Sequence, residues 1–168
     1  MAKVKIVEAC EDMCKELSIV KRQVWETTYR GIYPDKKLDN YSYAENEEKF
    51  KSYINSNNIE LYVVMSENKI IGYTAVGKSP YSPGSNDIEI VILYILKEFQ
   101  GMGIGKKIFN FAKDKIKNKG KKSFVVCCNK YNLPAQDFYK NMGCKMVKVD
   151  EDNFDRSLPQ VTFIYNFF

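Results

Sequence analysis

At 168 residues with 45% hydrophobic side chains, the chain suits a single domain, 1–168, able to bury roughly 70% of the surface its unfolded form would expose. The complete absence of histidine excludes Ser-His-Asp and Cys-His nucleophilic machinery and removes the commonest transition-metal ligand, so no metal is expected. A net charge of +5 invites an anionic partner, but most of the excess lies in one run, Lys113, Lys115, Lys117, Lys119, Lys121 and Lys122, where it reads as a solvated helix face.

Val4-Lys5-Ile6-Val7 alternates as a short first strand, and Met13, Leu17, Val20 and Val24 then recur at helical spacing. Glu11 and Asp12 suit the first turn of that helix, which spans about five turns before Gly31 and Pro34 stop it. Trp25 and Tyr29 stand one turn apart on its later half, with Tyr33 just beyond, so aromatic rings gather at the helix end. Such a cluster serves either as core or as the wall of an acceptor pocket, since these rings offer a flat apolar face with a polar handle. Ser42 to Ile54 reads as a second, half-exposed helix, and Leu61 to Met65 with Ile70 to Val76 reads as a hairpin turning at Glu67-Asn68-Lys69. Lys78 to Asn86, with two prolines and a glycine, is a loop.

The apolar run Ile88 to Leu96 then enters Gln100-Gly101-Met102-Gly103-Ile104-Gly105-Lys106, which opens a helical pattern reaching about Asn118. Glycines at alternate positions let the main chain approach an anion closely, and the helix start aims free N–H groups at one spot. A tight strand-to-helix turn without a ligand is the plainer reading. A Walker A loop needs Gly at Gln100 and Ser or Thr at Lys107, and a dinucleotide fingerprint starting at Gly101 needs a small residue at Lys106, so neither applies. Within the following helix, Ile104, Ile108, Phe111, Ala112 and Ile116 are the expected core positions. Gly120 ends it, and Ser123 to Cys128 is a buried strand, so strand, helix and strand form a parallel βαβ unit.

Asn132 can cap a further helix that tolerates Pro134 in its first turn, packs Ala135, Phe138, Tyr139 and Met142, and stops at Gly143. The last strands are Lys145 to Val149 and Val161 to Phe167, with an acidic loop between them. Five cysteines, Cys10, Cys14, Cys127, Cys128 and Cys144, make neither a disulfide framework nor a zinc spacing and read as reduced, mostly core residues. With no signal-peptide pattern and no apolar run near the ~20 residues of a membrane helix, a soluble cytoplasmic protein without a membrane partner is expected.

Gln-x-x-Gly-x-Gly at Gln100 to Gly105, preceded by Leu93-Tyr94-Ile95, resembles the first motif of the GNAT superfamily of acyl-CoA N-acyltransferases. Asn129, Asn132, Ala135, Phe138-Tyr139 and Gly143 match that family's second motif, departing only at Cys144, where the family carries Phe. The likeness covers Ile70 to Val149 well and the acceptor-binding parts scarcely, apart from Tyr29-Arg30-Gly31-Ile32-Tyr33-Pro34, which looks like the family's acceptor loop. It implies an α/β (α+β) GNAT fold: one mixed, mostly antiparallel sheet of six to seven strands, a central parallel βαβ unit and about four helices. It also implies acetyl-CoA as co-substrate, bound at Leu93, Tyr94, Ile95, the turn Gln100 to Lys106, and Asn132.

Acyl transfer from a thioester to an amine needs a neutral amine, a polarised carbonyl and a thiolate able to leave. An alkylamine of pKa ~10.4 must lose a proton, whereas a thiol of pKa ~8.5 leaves with modest help. The resemblance makes Tyr139 the candidate acid, because a phenol of pKa ~10 stays able to donate at neutral pH, and it offers Glu89, the one carboxylate in the run Ile88 to Leu96, as candidate base. Trp25, Tyr29 and Tyr33 are the candidate acceptor-binding residues. The expected activity is acetyl transfer to the primary amine of a small molecule or peptide by direct attack in a ternary complex, by a monomer or homodimer. A catalytically inactive CoA-binding regulatory domain is the alternative. A basic nucleic-acid-binding protein would use the lysine run and the twelve tyrosines, but the chain carries no nucleic-acid motif and no such partner is expected.

Overall fold

The computed structural model describes residues 3–78, 88–151 and 159–168. Its strands are β1 (Val4–Glu8), β2 (Ile59–Ser66), β3 (Lys69–Gly77), β4 (Glu89–Ile95), β5 (Ser123–Asn129), β6 (Lys145–Asp150) and β7 (Gln160–Asn166). The helices are α1 (Cys14–Tyr29), α2 (Asp35–Asp39), α3 (Tyr43–Ile54), α4 (Ile104–Asn118) and α5 (Leu133–Asn141). Together the strands make one sheet in the order β1-β2-β3-β4-β5-β7-β6, with every pair antiparallel except β4 and β5. This is the mixed α/β arrangement that the GNAT resemblance implies, with one short helix, α2, beyond those the sequence announced. The proline loop after Lys78 and the acidic loop before β7 lie outside the described residues.

Local chemistry accounts for the element boundaries. Ser42 accepts the Glu45 N–H at 3.2 Å to cap α3, and Asn132 accepts the Ala135 N–H at 3.2 Å to cap α5. The hairpin between β2 and β3 turns on Glu67 and Asn68, both at positive φ (48° and 65°), a geometry that suits the right-handed twist of the strands it joins. In α4 the buried face is Ile104, Ile108, Phe109, Ala112 and Ile116. The sequence reading had named Phe111 for this face, but it is only half-buried and packs edge-on against Tyr62 on β2, while Phe109 takes the core position.

Two hydrophobic clusters flank the middle of the sheet. One gathers α1, α3, β2 and β3 around Leu17, Val24, Phe50, Val63 and Tyr73, and the other gathers α5, β5 and β7 around Phe124, Tyr139 and Phe163. Helix α4 serves both, giving Ile104 and Ile108 to the first and Phe109, Ala112 and Ile116 to the second. Between the clusters the ladder from β4 to β5 joins only Glu89 to Val125 and Ile90 to Val126, although β4 continues to Ile95 and β5 to Asn129. The strands separate where the register with β3 slips: Ala75 faces Ile92 but Val76 faces Ile90, leaving Val91 as the extra residue of a bulge. A bulge bends its strand, and this one sits where β4 departs from β5.

Candidate active site

The gap between the diverging strands opens into a cavity of about 520 Å³. Its floor is the Ile90 to Ile95 edge of β4, facing Cys127 and Cys128 on β5 and Ala135, Phe138 and Tyr139 on α5. At the far end lie Gln100, Gly101, Gly103, Gly105 and Lys106, so the glycine turn and the free edge of β4 share one hollow. Gly103 takes the N-cap of α4 in a left-handed conformation (φ 77°), and no side chain caps that end. Gly101 is left-handed as well (φ 75°), and a Cβ at either glycine would find no protein atom within 4 Å. The first-turn N–H groups of α4, which no helical carbonyl can satisfy, stand beside this open turn with the positive end of the helix behind them, an arrangement an anionic phosphate fits. Gln100 fastens the turn to the sheet by donating its Nε2 to the Ile95 carbonyl at 3.1 Å.

Most of the residues singled out for the cofactor converge here. Leu93, Tyr94, Ile95, Gln100, Gly101, Gly103, Gly105, Lys106 and Asn132 all line the cavity. Met102 does not, its side chain standing out in solvent, and the Ile104 side chain turns into the core. Tyr139 lines the cavity with its ring held against Phe109, Phe138 and Phe163. Burial above all, then neighbours led by Cys128 and Tyr94, keeps its hydroxyl protonated well above the ordinary phenol range. Burial also pushes the Cys128 thiol up to about 12, so this cysteine is a poor thiolate at neutral pH. Glu89 is fully buried at the start of β4 and is not among the residues lining this cavity or its neighbour.

That neighbour is a second cavity, of about 370 Å³, sharing Tyr29, Val91, Ile92, Tyr94, Cys127 and Cys128 with the first. Trp25, Tyr29 and Tyr33 come together on its wall: Tyr29 stacks on Tyr33 with centroids 4.5 Å apart, and Trp25 lies 5.7 to 5.8 Å from both. The Tyr29 and Tyr94 hydroxyls meet at 3.1 Å where the two cavities join. Arg30 braces this corner from outside, binding Glu26 on α1 at 2.7 Å and Asp35 and Asp39 on α2 at 3.1 and 2.9 Å. It thereby sets α2 beside the aromatic cluster, and Lys37 of α2 rests 4.2 Å from the Tyr33 ring centre.

The sequence reading missed the rest of this second wall. Lys21 donates to Asn46 Oδ1 at 2.6 Å and lies 4.7 Å from the Trp25 ring centre; Lys49, Phe50 and Tyr53 come from α3, Tyr73 from β3, and Asn129 from β5. The spacing of Lys21 and Trp25, one helical turn apart, was the available signal. The others depend on where α3 docks, which no local pattern encodes.

Among the described strands the sheet divides at its one parallel pair, and the glycine turn stands at that split. The model of the Acetyltransferase (GNAT) family matches residues 22–144, and the chain belongs to that family. It is 27% identical over 154 residues to the uncharacterized N-acetyltransferase YuaI of Bacillus subtilis, covering 90% of this chain and 85% of that protein. An uncharacterized N-acetyltransferase in the pepI 3' region of Lactobacillus delbrueckii subsp. lactis is 25% identical over 147 residues, covering 85% of each. Among solved structures, the PaiA N-acetyltransferase of Thermoplasma acidophilum, in complex with coenzyme A, matches with a TM-score of 0.80 at 21% identity over 98% of this chain and 99% of that one.

Proposed function

We propose that this acyltransferase moves an acetyl group from acetyl-CoA to the primary amine of a small molecule or peptide by direct attack within a ternary complex. The observation that carries the reading is the junction of two cavities at Tyr29, Tyr94 and Cys127, one ending at the glycine turn and the other lined by aromatic rings. A pantetheine arm entering from the turn and an amine entering from the aromatic side meet there. That a solved relative binds coenzyme A supports the choice of donor.

Each group of the chain then has a task. The first turn of α4 holds pyrophosphate on main-chain N–H groups, and main-chain N–H groups along the last half of β4, which has no ladder pair with β5, polarise the thioester carbonyl. The amine nitrogen bonds to the carbonyl carbon as the carbon–sulfur bond breaks, and Tyr139 gives its proton to the departing sulfur. Water in the second cavity takes the proton the amine sheds. Glu89 lines neither cavity, so its direct use as the base has no geometric support here.

The test is thiol release from acetyl-CoA with and without amines. Release that requires an amine and yields the N-acetyl product supports the reading. A burst of CoA without acceptor, with an acyl-enzyme seen by mass spectrometry, overturns the direct mechanism, and acetyl-CoA binding with no transfer to any amine favours a regulatory CoA-binding domain.

A further inference from the structure

The second cavity has a one-sided polar character that transfer to an amine does not by itself require. Lys21, Lys37 and Lys49 reach its wall from three helices, and among its described lining residues there is no aspartate or glutamate. Three buried hydrogen-bonding atoms on the same wall, Trp25 Nε1, Tyr73 Oη and Asn129 Nδ2, have no partner among the described residues. Tyr73 and Asn129 are themselves 0% and 2% exposed. A buried donor without an acceptor is costly and uncommon, so three around one hollow point to oxygen atoms on whatever fills it.

We propose that this cavity is built for an amine acceptor that also carries an oxyanion, a carboxylate or a phosphate, beside a flat apolar frame, and that it disfavours polycationic amines. The proposal rests on the transferase reading and names its acceptor class. The stacked Tyr29 and Tyr33 rings with Trp25 suit a flat frame. Lys21 is placed to take the oxyanion, since its ammonium has only the neutral Asn46 amide and the rings of Trp25 and Phe50 as partners among the described residues. An ammonium group entering this cavity would instead meet lysines from three helices in a partly desolvated space.

The state of Lys21 adds an independent readout. Burial first, then Lys49 on α3 and Lys37 on α2, holds its pKa down to about 7. Of the tyrosines facing the same space, Tyr29, Tyr33, Tyr53, Tyr73 and Tyr94, burial above all holds the Tyr29 and Tyr73 hydroxyls well above the ordinary phenol range, so these two add no negative charge. An oxyanion bound beside Lys21 raises its pKa again, so binding at about pH 8, where Lys21 is mostly neutral, takes up a proton.

The experiment pairs each common amino acid with its own amide, adds spermidine as polycation, and follows thiol release from acetyl-CoA by the intact protein. Carboxylate-bearing members of the pairs turned over should exceed their amides at least about tenfold in kcat/KM. Lys21→Met should erase that ratio, Lys21→Arg should restore most of it, and Trp25→Phe, which keeps a ring but loses a donor, should reduce it. The aminophosphonate analogue of the best acceptor shows which oxyanion the site prefers, and either ranking keeps the proposal. Preference for amides or spermidine, or a Lys21→Met ratio equal to wild type, overturns it. Should acetyl-CoA bind while no amine is acetylated, the transfer reading fails; calorimetry with the same pairs in two buffers of different ionisation enthalpy then judges the cavity alone. Carboxylate-selective binding with proton uptake, lost in Lys21→Met, upholds the anion site, and its absence overturns it.

Discussion

The proposed mechanism rests most heavily on the Tyr139 hydroxyl, and its surroundings set what that hydroxyl can do. A phenol held far above its usual pKa by burial donates reluctantly in the ground state but is always protonated when the sulfur begins to carry charge. Tyr139→Phe keeps the contacts with Phe109, Phe138 and Phe163, so the expected change is a loss of about 10² to 10⁴ in kcat with acetyl-CoA affinity unchanged. The effect belongs toward the low end, because a thiolate of pKa ~8.5 leaves tolerably without help. The raised pKa also fixes the form of the pH profile. The rate rises as the acceptor amine loses its proton, and no fall due to Tyr139 follows below about pH 10. Full activity in Tyr139→Phe, or an alkaline limb near pH 9 that this variant abolishes, contradicts the assignment.

At the scale of elements, the site is made by strand β4 leaving strand β5, and two glycines test that construction differently. A Cβ on Gly72 would stand 2.4 Å from the Tyr94 carbonyl oxygen, a backbone atom of β4. Gly72→Ala must push β4 outward and should cost about 1 to 3 kcal/mol of stability by overpacking, read as a lower melting midpoint. Gly103 instead borders open space, and its requirement is the left-handed φ of 77°. Gly103→Val should therefore cost little beyond backbone strain of about 1 to 2 kcal/mol while weakening acetyl-CoA binding more than about tenfold, because the turn re-forms with its N–H groups misdirected. Equal acetyl-CoA affinity in wild type and a folded Gly103→Val variant excludes the glycine turn as the phosphate site. Much of this level was legible in the sequence, since capping residues, alternation and glycine placement are local. The Phe109 for Phe111 exchange shows where legibility ends: both fit a helical stripe, and only the docking of α4 on two clusters selects between them. The α2 turn with Lys37, and Lys49 of the second cavity, were hidden for the same reason, being fixed by Arg30 and by the docking of α3 rather than by their own neighbours in sequence.

For the whole molecule, the hollow lies where two separate cores approach each other with little sheet pairing to join them. β4 and β5 share two ladder pairs, so the connection relies on α4, which serves both clusters, and on the contacts α5 makes across the gap. A ligand that fills the gap and touches β4, α4 and α5 together binds the folded state alone and must stabilise it by mass action. At a hundred times its dissociation constant such a ligand adds about 2.7 kcal/mol. For a chain of 168 residues, where each kcal/mol moves the melting midpoint by about 2 to 4 °C, acetyl-CoA should raise the midpoint by about 5 to 10 °C. Coenzyme A should give a similar shift, because the pyrophosphate and pantetheine make the contacts with the turn and β4, whereas acetate alone should give none. The shift should shrink in Gly103→Val and persist in Tyr139→Phe, since one change disturbs phosphate binding and the other removes only a proton donor. An unchanged midpoint at saturating acetyl-CoA, or equal shifts in Gly103→Val and wild type, would place the donor somewhere other than the gap between β4 and β5.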